Sequence, residues 1–118
     1  MTAGERYEVG IDDAAEADLE EIIDYLTERR DRADALAFVD AMIERIDRLS
    51  EFPLRGSIPS ELEGTGETEV RQIVHGKYRI LYEIEEERKV VRVIMIVHGR
   101  RDMQTLLRTR LLAPDPPA

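Results

Sequence analysis

The chain has 118 residues, of which 36% are charged, with a formal net charge of −9 and no cysteine. That length suits one domain with a sizeable core, and the composition excludes disulfides and thiolate metal sites. No apolar run approaches the ~20 residues of a membrane span. The start lacks the basic-then-apolar pattern of a secretory leader, so the expected location is the cytoplasm.

The charge is unevenly spread. Residues 1–69 hold 20 acidic and 7 basic side chains and residues 70–118 hold 6 and 10, so −13 and +4 make up the −9. The summed field disfavours loose attachment to nucleic-acid phosphates, and direct sequence-specific DNA binding by this chain alone is not expected.

Tyr7 to Ile11 alternates in polarity and predicts a short first strand. Asp13, with Glu16 three residues on, predicts a capped helix start. Ala15, Leu19, Ile22, Ile23 and Leu26 then recur at helical spacing, placing helix one near 14–30. Asp31 or Asp34 opens a second helix with the apolar stripe Leu36, Val39, Met42, Ile43, Ile46 and Leu49. It ends before Pro53, because the residue ahead of a proline leaves the α region. Residues 53–68, with two prolines and three glycines, read as a loop long enough to need a purpose.

Three β-rich runs follow, at 70–75, 78–84 and 90–98, joined by short turns. Strand alternation puts Tyr78, Ile80, Tyr82 and Ile84 on one face and Arg79, Leu81 and Glu83 on the other. In the third run it sets Val91, Val93, Met95 and Val97 against Arg92, Ile94, Ile96 and His98. The last run leads into Gly99-Arg100-Arg101, and Asp102 predicts the cap of a short final helix reaching Leu112. Two amphipathic helices need a surface to cover, and the sheet is the available one. The expected fold is α+β, in the order β-α-α-β-β-β-α, with a helical hairpin on one face of a small antiparallel sheet and the other face free. Residues 1–113 form the single domain and 114–118 a flexible tail.

At this point the residues carry a family. Ala17-Asp18-Leu19 with Ile22 and Tyr25-Leu26, then Leu49-x-x-x-Pro53-x-x-Gly56, Val70-Arg71-x-Ile73, Tyr78-Arg79-Ile80-x-Tyr82-Glu83-Ile84 and His98-Gly99-Arg100-Arg101-Asp102 stand in order. Together they resemble the ParE branch of the RelE/ParE toxins of bacterial type II toxin–antitoxin pairs. The resemblance implies a cognate, ParD-like antitoxin. It implies poisoning of DNA gyrase for ParE-like members and ribosome-dependent mRNA cleavage for RelE-like ones.

RelE-like nucleases resemble one another in placing lysines before the Tyr-Arg strand, arginines in the sheet and a tyrosine in the C-terminal segment. Arg79 and Arg100 match the arginines, but residues 70–75 hold no lysine and Tyr82 is the last tyrosine. Arginine stays protonated and makes a poor base. The first expectation is therefore a toxin that acts by binding gyrase, with Arg71, Arg79, His98, Arg100 and Arg101 on the contact surface and no catalytic group. The alternative is an endoribonuclease working through Arg71, Arg79, His98 and Arg100, with His75 or His98 suited to proton transfer. A third is a toxin fold that retains only antitoxin binding. No cofactor is implied. His75 and His98 lack a placed third ligand, so no metal site is expected.

Overall fold

In a computed structural model of the chain, which describes residues 6–64, 66 and 69–99, two helices lie on a four-stranded sheet. The order is β1 (Glu8–Ile11), α1 (Asp13–Arg29), α2 (Arg32–Asp47), β2 (Val70–His75), β3 (Tyr78–Glu85) and β4 (Val90–His98), with 3₁₀ turns at Arg48–Ser50, Pro53–Arg55 and Ser60–Leu62. The predicted final helix from Asp102, the tail 114–118, and Arg100 and Arg101 lie outside the described residues.

The sheet order is β1-β4-β3-β2. β2, β3 and β4 are antiparallel, as expected, but β1 runs parallel to β4, with Val9 beside Val91 and Ile11 beside Val93. The sheet is therefore mixed. A parallel neighbour needs a long crossover, and the helical hairpin, the loop and the β2–β3 hairpin together supply it.

The helix caps follow side-chain competition. Asp31 caps α2 by accepting the Asp34 N–H at 2.8 Å. The cap of α1 is Asp12 rather than Asp13, and its side chain makes no capping bond. The Asp12 carboxylate instead meets the Arg92 guanidinium at 3.2 Å, so the expected capping box at Asp13 and Glu16 does not form.

The main core lies between helices and sheet. Leu19 and Ile22 of α1 and Val39, Met42 and Ile46 of α2 pack on Ile73, Ile80, Tyr82, Ile84, Val91, Val93 and Ile96. Each buried aliphatic of this size contributes roughly 1.5–3 kcal/mol. Leu36, expected in the α2 stripe, is 37% exposed; Ala35 faces inward in its place.

β4 departs from simple alternation. Leu81 pairs with Met95 and Tyr82 with Val93, leaving Ile94 as the extra residue of a β-bulge. Beyond it the faces exchange. Val91, Val93 and Ile96 join the helix-side core, while Ile94 and Met95 join Leu62, Val70 and Leu81 in a second buried cluster. The second sheet face is thus not free: the loop segment around Leu62 folds over it and sets Leu62 on Leu81 and Met95. That is the loop's structural purpose.

Candidate functional site

Among the described residues, two of the arginines that sequence patterning singled out, Arg71 and Arg79, are held by the chain's own acceptors. Arg79 projects from the outer face of β3. It makes a forked pair with Glu61, Nη1 to Oε2 at 2.9 Å and Nη2 to Oε1 at 2.8 Å, while its Nε donates to the Gln72 side-chain oxygen at 2.8 Å. Its side chain is 14% exposed. The Arg79 guanidinium, acting chiefly through these hydrogen bonds, holds the Glu61 carboxyl down at about 2. Glu83, a same-face partner by alternation, is met instead by Arg92 at 3.4 Å.

Arg71 lies on the helix-facing side of the edge strand β2, in register with Tyr82. Its Nη1 donates to the Gly56 carbonyl at 2.7 Å. Beside it the buried Tyr82 phenol donates to the Pro53 carbonyl at 2.7 Å and accepts the Gly56 N–H at 3.0 Å. Burial pushes the Tyr82 phenol above its ordinary value, opposed by the Gly56 N–H and the charges of Arg71 and Arg55. Gly56 is required by space: a Cβ there would stand 2.5 Å from the Gln72 carbonyl oxygen and 2.6 Å from the Tyr82 hydroxyl. Ser57 then exchanges two backbone hydrogen bonds with Gln72, docking the loop on the sheet edge.

The two histidines are brought into one row. His75 and His98 stand on either side of Tyr78 in the strand register. The Tyr78 ring meets His98 edge-on at 5.6 Å and Phe38 of α2 at 5.8 Å, and Phe38 tilts onto His75 at 4.8 Å. The bulge at Ile94 matters here, because without its extra residue His98 would fall on the opposite face. Burial, then the charge of Arg45, lowers the His75 pKa, against a hydrogen bond to the Phe38 backbone. Burial raises that of Tyr78, with a further push from Tyr25.

Arg71 and His98 therefore sit on the helix-facing side of the sheet and Arg79 on the other. The structure does not bring these three to one surface. Sequence reasoning passed over Glu61, Gln72, Phe38 and the role of Asp18, whose carboxylate accepts the Ile96 N–H at 2.9 Å, just past the end of the β1–β4 pairing. The motif Ala17-Asp18-Leu19 was the available signal for Asp18. Among the described residues no group of three or more His, Asp or Glu side chains is placed to hold a metal ion, and no helix is long and apolar enough to cross a membrane.

The family model for the ParE toxin of the type II toxin–antitoxin system parDE matches residues 9–103. No curated protein matches the sequence. Solved structures share the fold. A chain of the chromosomal ParDE toxin–antitoxin system of P. aeruginosa aligns with a TM-score of 0.66 at 18% identity, covering 80% of this chain and 98% of that one. A chain of the RelBE2 toxin–antitoxin complex of Mycobacterium tuberculosis aligns with a TM-score of 0.57 at 23% identity over 83% and 97%. A mutant E. coli RelE toxin in the free state gives 0.55 at 15% over 86% and 92%.

Proposed function

The chain belongs to the ParE toxin family of type II toxin–antitoxin systems, and we propose that it arrests growth by gripping DNA gyrase through protein contacts and is silenced by a cognate, ParD-like antitoxin. In this reading residues 1–113 are the toxin domain, it acts in the cytoplasm, and it stabilises the plasmid or locus that carries it. Contact with the target is assigned to Arg71, Arg79, His98, Arg100 and Arg101.

The observation that carries the reading is the division of the nuclease candidates between two sheet faces. Arg71 and Arg79 already spend donors on Gly56, Glu61 and Gln72. Cleavage by a 2′-hydroxyl needs a base, a phosphorane-stabilising cation and an acid around one phosphate. A binding toxin has no such requirement. That neighbours of this fold come from toxin–antitoxin complexes supports the antitoxin partner. One arrangement favours the alternative, a ribosome-dependent mRNA endoribonuclease: the row His75-Tyr78-His98 gathers two imidazoles and a phenol.

The test is induction of the chain alone, followed by gyrase supercoiling assays and mapping of mRNA ends. Inhibited supercoiling with an SOS response before translation stops is expected. Codon-positioned mRNA breaks appearing first, with supercoiling intact, would transfer the assignment to the nuclease.

A further inference from the structure

The Arg79 guanidinium is held along two different edges. On one, the Gln72 side-chain oxygen accepts from Nε and from Nη2. On the other, the Glu61 carboxylate takes one N–H from each Nη. Gln72 stands on β2, within the sheet, whereas Glu61 stands on the 3₁₀ turn Ser60–Leu62. The strands alone therefore set the direction of the guanidinium. Val74 pairs with Arg79 on one side and Val97 on the other, and a Cβ at Gly99 would touch the arginine stem at 3.8 Å. That placement does not require Glu61.

What Glu61 fills is the two-pronged end of the guanidinium, the geometry by which an arginine receives a carboxylate or a phosphate. The sheet builds the site, and a neighbouring turn supplies the occupant. The Ser60 hydroxyl and the Glu61 N–H hold the carboxylate from its own turn, so the turn presents it ready-made. The turn does not cover the surroundings. Leu62 is buried in the cluster with Leu81 and Met95, yet Val74, directly across from Arg79, is 51% exposed. Apolar surface thus stays open beside a charged fork that is already filled.

We infer that Glu61 is an internal competitor: it occupies the Arg79 fork in place of a carboxylate from the target protein, and the target gains Arg79 only by displacing it. Rotation about the Glu61 side-chain bonds vacates the fork, because Leu62 and the Gly56–Tyr82 hydrogen bond hold the loop without it. The incoming carboxylate is carried by a protein, whose apolar side chains also cover Val74. A phosphate chain leaves Val74 open and meets a net charge of −9. This rests on the reading that Arg79 contacts a protein target, and adds that the chain's own carboxylate sets the threshold for that contact.

Two measurements test it. In the purified full chain labelled with ¹⁵N, the Arg79 Nε resonance reports the fork. Sodium acetate should leave it unmoved in the parent and shift it in Glu61→Ala, whose melting temperature should rise with acetate and not with chloride at equal ionic strength. Inorganic phosphate is titrated alongside. In cells, Glu61→Gln should arrest growth at about one third of the folded-protein level that the parent needs, despite its lower melting. Glu85→Gln removes the same charge from the exposed pair with Arg88 and should match the parent. Adding Arg79→Ala to Glu61→Gln should erase the gain. No acetate response in Glu61→Ala, phosphate bound about tenfold more tightly than acetate, or a Glu61→Gln protein no more potent per folded molecule than the parent would each overturn the proposal. The acetate titration needs no target, and the growth comparison holds whichever target is hit. Greater potency of Glu61→Gln with gyrase supercoiling intact would therefore sink the gyrase reading and leave the competitor standing.

Discussion

The hydroxyl of Tyr82, fully buried, donates to the carbonyl of Pro53 at 2.7 Å, 29 positions earlier in the chain. It simultaneously accepts the N–H of Gly56, so a single phenol satisfies two buried backbone groups of the loop. This explains the spacing Pro53-x-x-Gly56: the 3₁₀ turn brings both groups to one oxygen, and the absence of a Cβ at Gly56 leaves room for it.

Tyr82→Phe should therefore fold but lose about 1–3 kcal/mol, the cost of stranding a buried donor and acceptor. Urea melts of the two proteins measure it. Tyr7→Phe is the control, because the Tyr7 hydroxyl bonds Glu86 at the exposed surface and should cost under ~0.5 kcal/mol.

Gly56→Ala should cost more than Tyr82→Phe, at least ~2 kcal/mol, because the new Cβ falls against the Gln72 backbone as well as the phenol. Combining it with Tyr82→Phe should recover part of the loss, since one of the two clashing atoms is then gone. A strictly additive double mutant would mean that the backbone clash alone sets the cost.

Acid should unfasten the outer face of the sheet. The Glu61 carboxyl is held at about 2 against 4.5 for the free group. A depressed carboxylate contributes stability that is present above the unfolded value and lost as pH falls through the folded one. The window is thus from about pH 4.5 down to about 2, and the magnitude, reduced by solvent screening of this part-exposed pair, is roughly 1–2 kcal/mol. Glu61→Gln should flatten the acid limb of a stability–pH curve and lower stability at neutral pH. A parallel acid limb in the variant would remove Glu61 from the linkage.

How much of this was legible beforehand depends on the range of the interaction. The α1 stripe, the α2 stripe apart from Leu36 and the β2–β3 turn are local patterns, and they read correctly. The parallel placement of β1 depends on where the crossover deposits β2, which no local period encodes. The bulge at Ile94 is hidden because Val93 to Val97 is apolar throughout, so a one-residue slip of face leaves no break in polarity. Arg79 was legible as an arginine that needs a partner. That the partner is Glu61 follows from the path of a loop 18 residues away, and nothing marks it out from Glu63, the other glutamate between Pro59 and Gly64.

Asp18→Ala should loosen β4 beside the bulge. The Ile96 N–H loses its acceptor, with a cost of about 1–3 kcal/mol, and amide exchange should quicken at Ile96 more than at Ile80 on the neighbouring strand. Asp18→Asn keeps a carbonyl acceptor and should recover more than half of the loss. Equal exchange at both amides would show that Asp18 supports α1 rather than β4.

The histidine row separates the two activities. In a binding toxin an imidazole serves as a hydrogen-bonding group, which a glutamine side chain partly replaces. In a nuclease it must exchange a proton, which an amide does not do at neutral pH, and losing such a group costs about 10²–10⁴ in rate. His75→Gln combined with His98→Gln should therefore leave growth arrest and gyrase inhibition within about threefold of the parent, roughly 0.7 kcal/mol. The fold should persist, because the Phe38–Tyr78 contact at 5.8 Å does not involve either ring. Melting and dose–response curves on the same preparations make the comparison per folded molecule. A loss of about a hundredfold or more in mRNA cleavage, with melting and gyrase inhibition unchanged, would place proton transfer at this row and make the chain an endoribonuclease.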